Sequence, residues 1–107
     1  MNKICLITGA TSGIGKATAL ILSKNGYDLI ITGRRKELLT SLENEIKTFS
    51  NSQVYTLCFD VRDRNQVEHQ IDNLPLKWKK IDLLVNNAGL SLGLEPLNEG
   101  SIDDWET

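Results

Sequence analysis

Thr8-Gly9-Ala10-Thr11-Ser12-Gly13-Ile14-Gly15 is the stretch on which the fold turns. It closes a short apolar run, Lys3 to Thr8, whose length suits a strand better than a helix. From Ile14 the period becomes helical, with Ile14, Ala17, Thr18, Ile21 and Leu22 on one face until Asn25-Gly26 stops it. Glycines at such a junction let the backbone bend sharply. They also let an anion reach the helix start, where unpaired N–H groups and the positive end of the helix dipole converge. A pyrophosphate suits that place, and the hydroxyls of Thr11 and Ser12 can reach phosphate or ribose oxygens. A glycine-rich turn can also be a mere connector; its position at the first turn of the first strand-helix unit favours binding. No Lys-Ser/Thr pair follows the last glycine, because the run is Gly15-Lys16-Ala17, so this is not a P-loop.

Working outward, strand and helix periods keep alternating. Asp28 to Thr32 reads as a second strand closed by Gly33, and a second helix runs from about Arg35 to Phe49 with Leu38, Leu39, Leu42 and Ile46 on its apolar face. Val54 to Phe59 reads as a third strand. Asp63 with Gln66 fits a capping box opening a third helix, whose apolar positions are Val67, Ile71 and Leu74, before Pro75. Ile81 to Val85 is a fourth strand, Asn87 to Gly100 a loop, and Ser101 with Asp104 the cap of a further helix. This succession predicts an α/β fold: the N-terminal half of a doubly wound parallel sheet of Rossmann type, with strand order 3-2-1-4. All 107 residues are expected to form one domain, cut short in the helix near Ser101. The fourth strand would then be an edge lacking its normal neighbour, so self-association into a homo-oligomer is expected.

Composition narrows the partners. Twelve basic against fourteen acidic groups give a net charge of -2, with none of the basic excess that nucleic acid binding needs, so no nucleic acid partner is expected. The longest apolar runs fall far short of the ~20 residues of a membrane span, and no export signal is seen, so a cytoplasmic location without membrane contact is expected. Cys5 and Cys58 lie in strand-like runs and read as reduced core residues; no ligand spacing points to a metal. His69, between Glu68 and Gln70, reads as a surface residue, and Trp78 as a packing cap.

Thr-Gly, three residues, then Gly-x-Gly resembles the coenzyme motif of the short-chain dehydrogenase/reductase family. Asn86-Asn87-Ala88-Gly89 after the fourth strand is similar to that family's NNAG element, and Asp60-Val61 after the third to its adenine-contacting pair. The region from Ile81 to Thr107 looks most like the branch of bacterial NADP-dependent 3-hydroxy acid dehydrogenases. The resemblance implies a coenzyme site made by Gly9, Thr11, Ser12, Gly13, Ile14, Gly15, Asp60, Val61, Asn87, Ala88 and Gly89. In it Asp60 would accept from the adenine amino group, Val61 would pack on the ring, and the Asn-Ala-Gly backbone would pass the nicotinamide-side ribose.

NAD-selective nucleotide folds place an acid at the end of the second strand; here Gly33 stands there, followed by Arg34, Arg35 and Lys36. Guanidinium groups can clamp a 2'-phosphate that a carboxylate would repel, so Arg34 and Arg35 point to NADP(H), with NAD less favoured. Cations at a helix start oppose the helix dipole, which weakens a purely structural explanation.

Hydride exchange with a hydroxyl or carbonyl carbon also needs a proton donor or acceptor at the oxygen. The family resemblance implies a tyrosine with a lysine four residues later, but Tyr27 and Tyr55 are followed at that spacing by Ile31 and Phe59. No catalytic residue is therefore assigned. The chain reads as the NADP(H)-binding portion of an oxidoreductase acting on a small-molecule substrate, with a 3-hydroxy acid as candidate, and as inactive alone. Two alternatives are a non-catalytic NADP-binding module and an S-adenosylmethionine methyltransferase; the latter would want an acid where Gly33-Arg34 stands.

Overall fold

The computed structural model describes residues 2–87. Four strands and three helices alternate: β1 (Ile4–Thr8), α1 (Gly13–Lys24), β2 (Asp28–Gly33), α2 (Lys36–Lys47), β3 (Val54–Cys58), α3 (Arg64–Asp72), a 3-10 turn (Leu76–Trp78) and β4 (Leu83–Asn86). The strands form one parallel sheet in the order β3-β2-β1-β4, the order expected from the sequence.

Strand periodicity divides the core in two. Ile4, Leu6, Ile30, Leu57 and Leu84 point to one face, where they meet Phe59, Val67, Leu74, Trp78 and Ile81. Their neighbours Cys5, Ile7, Leu29, Ile31 and Val85 point to the other and meet Ala19 of α1 and Leu39, Leu42 and Ile46 of α2. Every residue of β1 and β2 is buried, which is why both read as unbroken apolar runs rather than alternating ones. Burial pushes the Cys5 thiol up to about 12, so it sits in the core as a neutral side chain.

The structure corrects the sequence reading in particular places. The buried side of α1 consists of Gly15, Ala19 and Ser23, while Ile14 and Ile21 are 75% and 59% exposed. Small residues let this helix lie close to the sheet, so close approach, and not apolar count, chose the face. Leu38 and Phe49 are exposed as well, and α2 is shorter at both ends than its periodicity implied. Cys58 is exposed and its thiol faces the Arg34 carbonyl at 3.5 Å. It ends β3, an edge strand of the sheet. The Asp63 carboxylate accepts from the Gln66 amide, but the Asp63 amide donates to the Asp60 carbonyl, so only half of the capping box forms. Strand β4 begins two residues later than expected because Asp82 uses its side chain on the Ile4 amide at 2.9 Å. Trp78 is buried and tilts against Tyr55, with ring centroids 5.6 Å apart.

Candidate nucleotide-binding site

Parallel register brings the carboxyl ends of the strands to one edge of the sheet. Thr8 pairs with Asn86 and Gly33 with Cys58, so the residues that follow (Gly9, Arg34, Phe59 and Asn87) leave the sheet side by side. Ligands of open α/β sheets bind at this edge.

The glycine turn is stapled to its surroundings. Gly9 takes φ 61, a left-handed conformation that glycine adopts without a side-chain penalty. The Ala10 amide donates to the Thr32 carbonyl at 3.1 Å. The Gly9 carbonyl accepts from the Ser12 hydroxyl at 2.9 Å and from the Asn87 amide at 3.0 Å, and the same Asn87 nitrogen reaches the Ser12 oxygen at 2.7 Å. Gly15 is fixed by crowding, since a Cβ there would lie 2.1 Å from the Gly9 carbonyl oxygen. A Cβ on Gly13 would meet nothing within 4 Å, which leaves open space over the start of α1. No side chain caps that start and its first turn holds no acid. Its first amides have no partner within the helix.

A cavity of about 320 Å³ adjoins this turn, lined by Gly9, Thr11, Ser12, Thr32, Gly33, Arg34, Phe59, Asp60, Val61 and Arg62. Of the residues expected at the site, it gathers Gly9, Thr11, Ser12, Arg34, Asp60 and Val61. Gly13, Ile14 and Gly15 form the adjoining helix turn, Asn87 braces the turn from β4, and Arg35 is the N-cap residue of α2, outside the lining. Ala88 and Gly89 lie outside the described residues.

Four lining residues were not singled out as binders from the sequence: Thr32, Gly33, Phe59 and Arg62. Thr32 carried a signal, being a hydroxyl inside an otherwise apolar strand. Its Oγ1 is the buried side-chain polar atom left without a hydrogen-bond partner among the described residues. Arg62 carried a weaker one, a cation two residues beyond Asp60. The guanidinium grips that carboxylate, with Nη2 2.8 Å from Oδ2 and Nε 3.1 Å from Oδ1, and the Arg62 amide adds a 2.9 Å bond to Oδ1. The hydrogen bonds from the Arg62 side chain, then from its amide, hold the Asp60 carboxyl down at about 2.

Uncapped helix amides, a glycine cradle closed to any side chain at position 15, an orphaned buried hydroxyl and a cationic rim together fit a phosphorylated nucleotide. The volume suits its adenosine and phosphate end, near the lower bound for ligand pockets.

The family model for short chain dehydrogenases matches residues 3–107. The chain belongs to the short chain dehydrogenase family. Among curated relatives, the chain is 47% identical over 104 residues to the NADP-dependent 3-hydroxy acid dehydrogenase YdfG of Salmonella typhi, covering 97% of the chain and 40% of that protein. It is 45% identical over 107 residues to sulfoacetaldehyde reductase 2 of Chromohalobacter salexigens, covering 100% of the chain and 42% of that protein. The chain thus spans about two fifths of the length of these relatives. Among solved structures it superposes on Escherichia coli serine dehydrogenase with a TM-score of 0.72 at 43% identity, over 96% of the chain and 46% of the other. On the L-sorbose reductase of Gluconobacter frateurii complexed with NADPH and L-sorbose, the TM-score is 0.76 at 29% identity, over 83% of the chain and 34% of the other. The Rossmann-type half-sheet expected from sequence matches these dehydrogenase structures.

Proposed function

We propose that residues 1–107 form the NADP(H)-binding portion of an oxidoreductase that moves a hydride between nicotinamide and a hydroxyl or carbonyl carbon of a small molecule, a 3-hydroxy acid being the candidate substrate. The single observation carrying the preference for NADP(H) is Arg34 on the cavity wall beside Gly33, where an acid would select the unphosphorylated ribose. The NADP-dependent 3-hydroxy acid dehydrogenases at 43–47% identity support the same reading.

In this proposal each residue has its task. The α1 amides and the turn at Gly9, Thr11 and Ser12 hold the pyrophosphate. Arg34 takes the 2'-phosphate through charge-assisted hydrogen bonds, with Arg35 adding charge from the N-cap position. Thr32 Oγ1 gains a polar partner. Asp60, Val61 and Phe59 surround the adenine, and Asn87, Ala88 and Gly89 continue the groove from β4. The bound coenzyme supplies the hydride chemistry; the chain positions it and excludes water along the glycine turn. Neither Tyr27 nor Tyr55 lines the cavity, and Tyr55 belongs to the core with Trp78, so the proton at the substrate oxygen is not assigned to any described residue. Homo-oligomeric assembly and a cytoplasmic setting belong to the same proposal; no helix among the described residues is long and apolar enough to cross a membrane.

Titration with NADPH and NADH tests the reading. NADPH is expected to bind tighter, and Arg34→Ala to cost NADPH about tenfold or more while changing NADH little, the size of a lost charge-assisted contact. Equal affinity for both coenzymes, unchanged in Arg34→Ala, overturns it.

A further inference from the structure

The cavity wall carries three charged side chains: Arg34, Asp60 and Arg62. Asp60 is the one carboxylate among the lining residues, and in a site for a doubly charged phosphate it is the wrong sign. Its neutralisation is built into the backbone. The Asp63 amide donates to the Asp60 carbonyl at 3.0 Å, which closes a turn over Asp60-Val61-Arg62-Asp63. Within it the Asp60 side chain accepts the Arg62 amide, an arrangement that sets the Arg62 side chain beside the same carboxylate. The guanidinium then takes both oxygens, Nε reaching Oδ1 at 3.1 Å and Oδ2 at 3.2 Å, and Nη2 reaching Oδ2 at 2.8 Å. Arg62 thus brings three N–H groups to the carboxylate: its amide on Oδ1, Nη2 on Oδ2, and Nε shared between the two oxygens. The ion pair and side-chain hydrogen bonds of Asp60 go to Arg62 and not to Arg34.

We infer that Arg62 is a specificity-determining residue for 2'-phosphorylated coenzyme: by pairing with Asp60 it cancels the cavity's carboxylate and leaves the Arg34 guanidinium uncompensated for the phosphate. The inference rests on the NADP(H) reading above and deepens it. Arg62 acts through Asp60 and Arg34, so it is a positioning residue. The wall carries one net positive charge with the pair intact, none when Arg62 alone is neutralised, and one again when Asp60 is neutralised as well.

That charge count gives the experiment, done by equilibrium titration of the full chain with NADPH and with NADH. Arg62→Gln is expected to weaken NADPH about tenfold and NADH by less than about twofold, the scale of one charge near a protein surface. Adding Asp60→Asn to Arg62→Gln is expected to restore most of the NADPH-to-NADH ratio, because any loss of adenine contact affects both coenzymes alike. The effect of Arg62→Gln shrinks as salt is raised. Carbon NMR titration of the Asp60 carboxyl accompanies the wild type and Arg62→Gln. In Arg62→Gln it should move up toward the ordinary carboxylate range, which reports a folded chain with the pair broken. A wild type that prefers NADPH while Arg62→Gln keeps that preference overturns the role of Arg62 and leaves the nucleotide reading standing. Failure of Asp60→Asn to restore the ratio overturns it too. A wild type without preference overturns both readings, and Arg34→Ala then changes nothing either.

Discussion

The two ends of the sheet are built from similar polar material and used differently. At the amino ends of the strands, Asp28 Oδ1 accepts from the Gln53 amide at 2.9 Å and from Asn2 at 3.1 Å. Asp82 holds the Ile4 amide, and the hydroxyls of Ser50 and Ser52 both donate to the Ser23 carbonyl, at 3.0 and 3.1 Å. A cavity of about 250 Å³ lies there as well, lined by these serines with Lys24 and Phe49. Its serine hydroxyls are held by hydrogen bonds to one another and to backbone carbonyls. At the carboxyl ends the chemistry is left open: α1 begins without a cap, Thr32 Oγ1 has no partner among the described residues, and Arg34 faces a cavity whose carboxylate is taken by Arg62. Two hollows of comparable size thus differ in whether their polar atoms are already spoken for, and that difference, more than volume, marks the binding end.

The comparison can be broken most forcefully at Gly15. Gly15→Ala puts a Cβ 2.1 Å from the Gly9 oxygen, and since both partners are backbone the turn must move. We expect a loss of about 1–3 kcal/mol in urea unfolding, together with at least a tenfold loss of NADPH affinity by titration. Gly13→Ala, two residues earlier, has open space around its Cβ and should hold or raise stability by up to about 1 kcal/mol. If the two alanines behave alike, the turn is not the rigid cradle described.

Asp28→Ala probes the other end. It strands the Gln53 amide and should cost about 1–3 kcal/mol in the same unfolding assay, with NADPH affinity changed less than about twofold. A large binding loss there would show that the two ends are coupled and that the contrast between them is false.

The smallest effect is acid sensitivity at the binding end. Asp60 has its folded pKa lowered from 3.8 to about 2, so its pairing with Arg62 stabilises the fold above about pH 4. That contribution is lost as the pH falls through about 2. Thermal midpoints of wild type and Asp60→Asn should therefore differ slightly at neutral pH and converge toward pH 2. A gap that widens on acidification would contradict the assigned direction.

Most of the architecture was legible because it follows from local chemistry. Strands buried on both faces must be continuous apolar runs, as Ile4 to Ile7 and Leu29 to Ile31 are, and a Gly-x-Gly opening a helix after the first of them leaves few topologies. Two of the three helix faces were also readable: Leu39, Leu42 and Ile46 are the buried stripe of α2, and Val67 and Ile71 of α3 pack with Leu74 into the core. The face of α1 was not, because Gly15, Ala19 and Ser23 are buried by closeness of approach, a property of the assembled layers that no count of apolar side chains reports. Cys58 was misplaced for a related reason: it ends an edge strand, with no further strand beside it among the described residues.

The sequence alone therefore determined that this chain makes a parallel sheet in the order 3-2-1-4 with a glycine turn after its first strand, and that Arg34 rather than an acid follows its second strand. Tertiary structure alone decided that Asn87 reaches across from β4 to brace Gly9 and Ser12, and that Thr32 keeps a buried hydroxyl unspent. The physical reason is range. Periodicity and turn chemistry act between residues a few positions apart, whereas the satisfaction of a polar atom depends on which distant group the fold carries to within 3 Å of it, 78 residues away for Asn87 and Gly9.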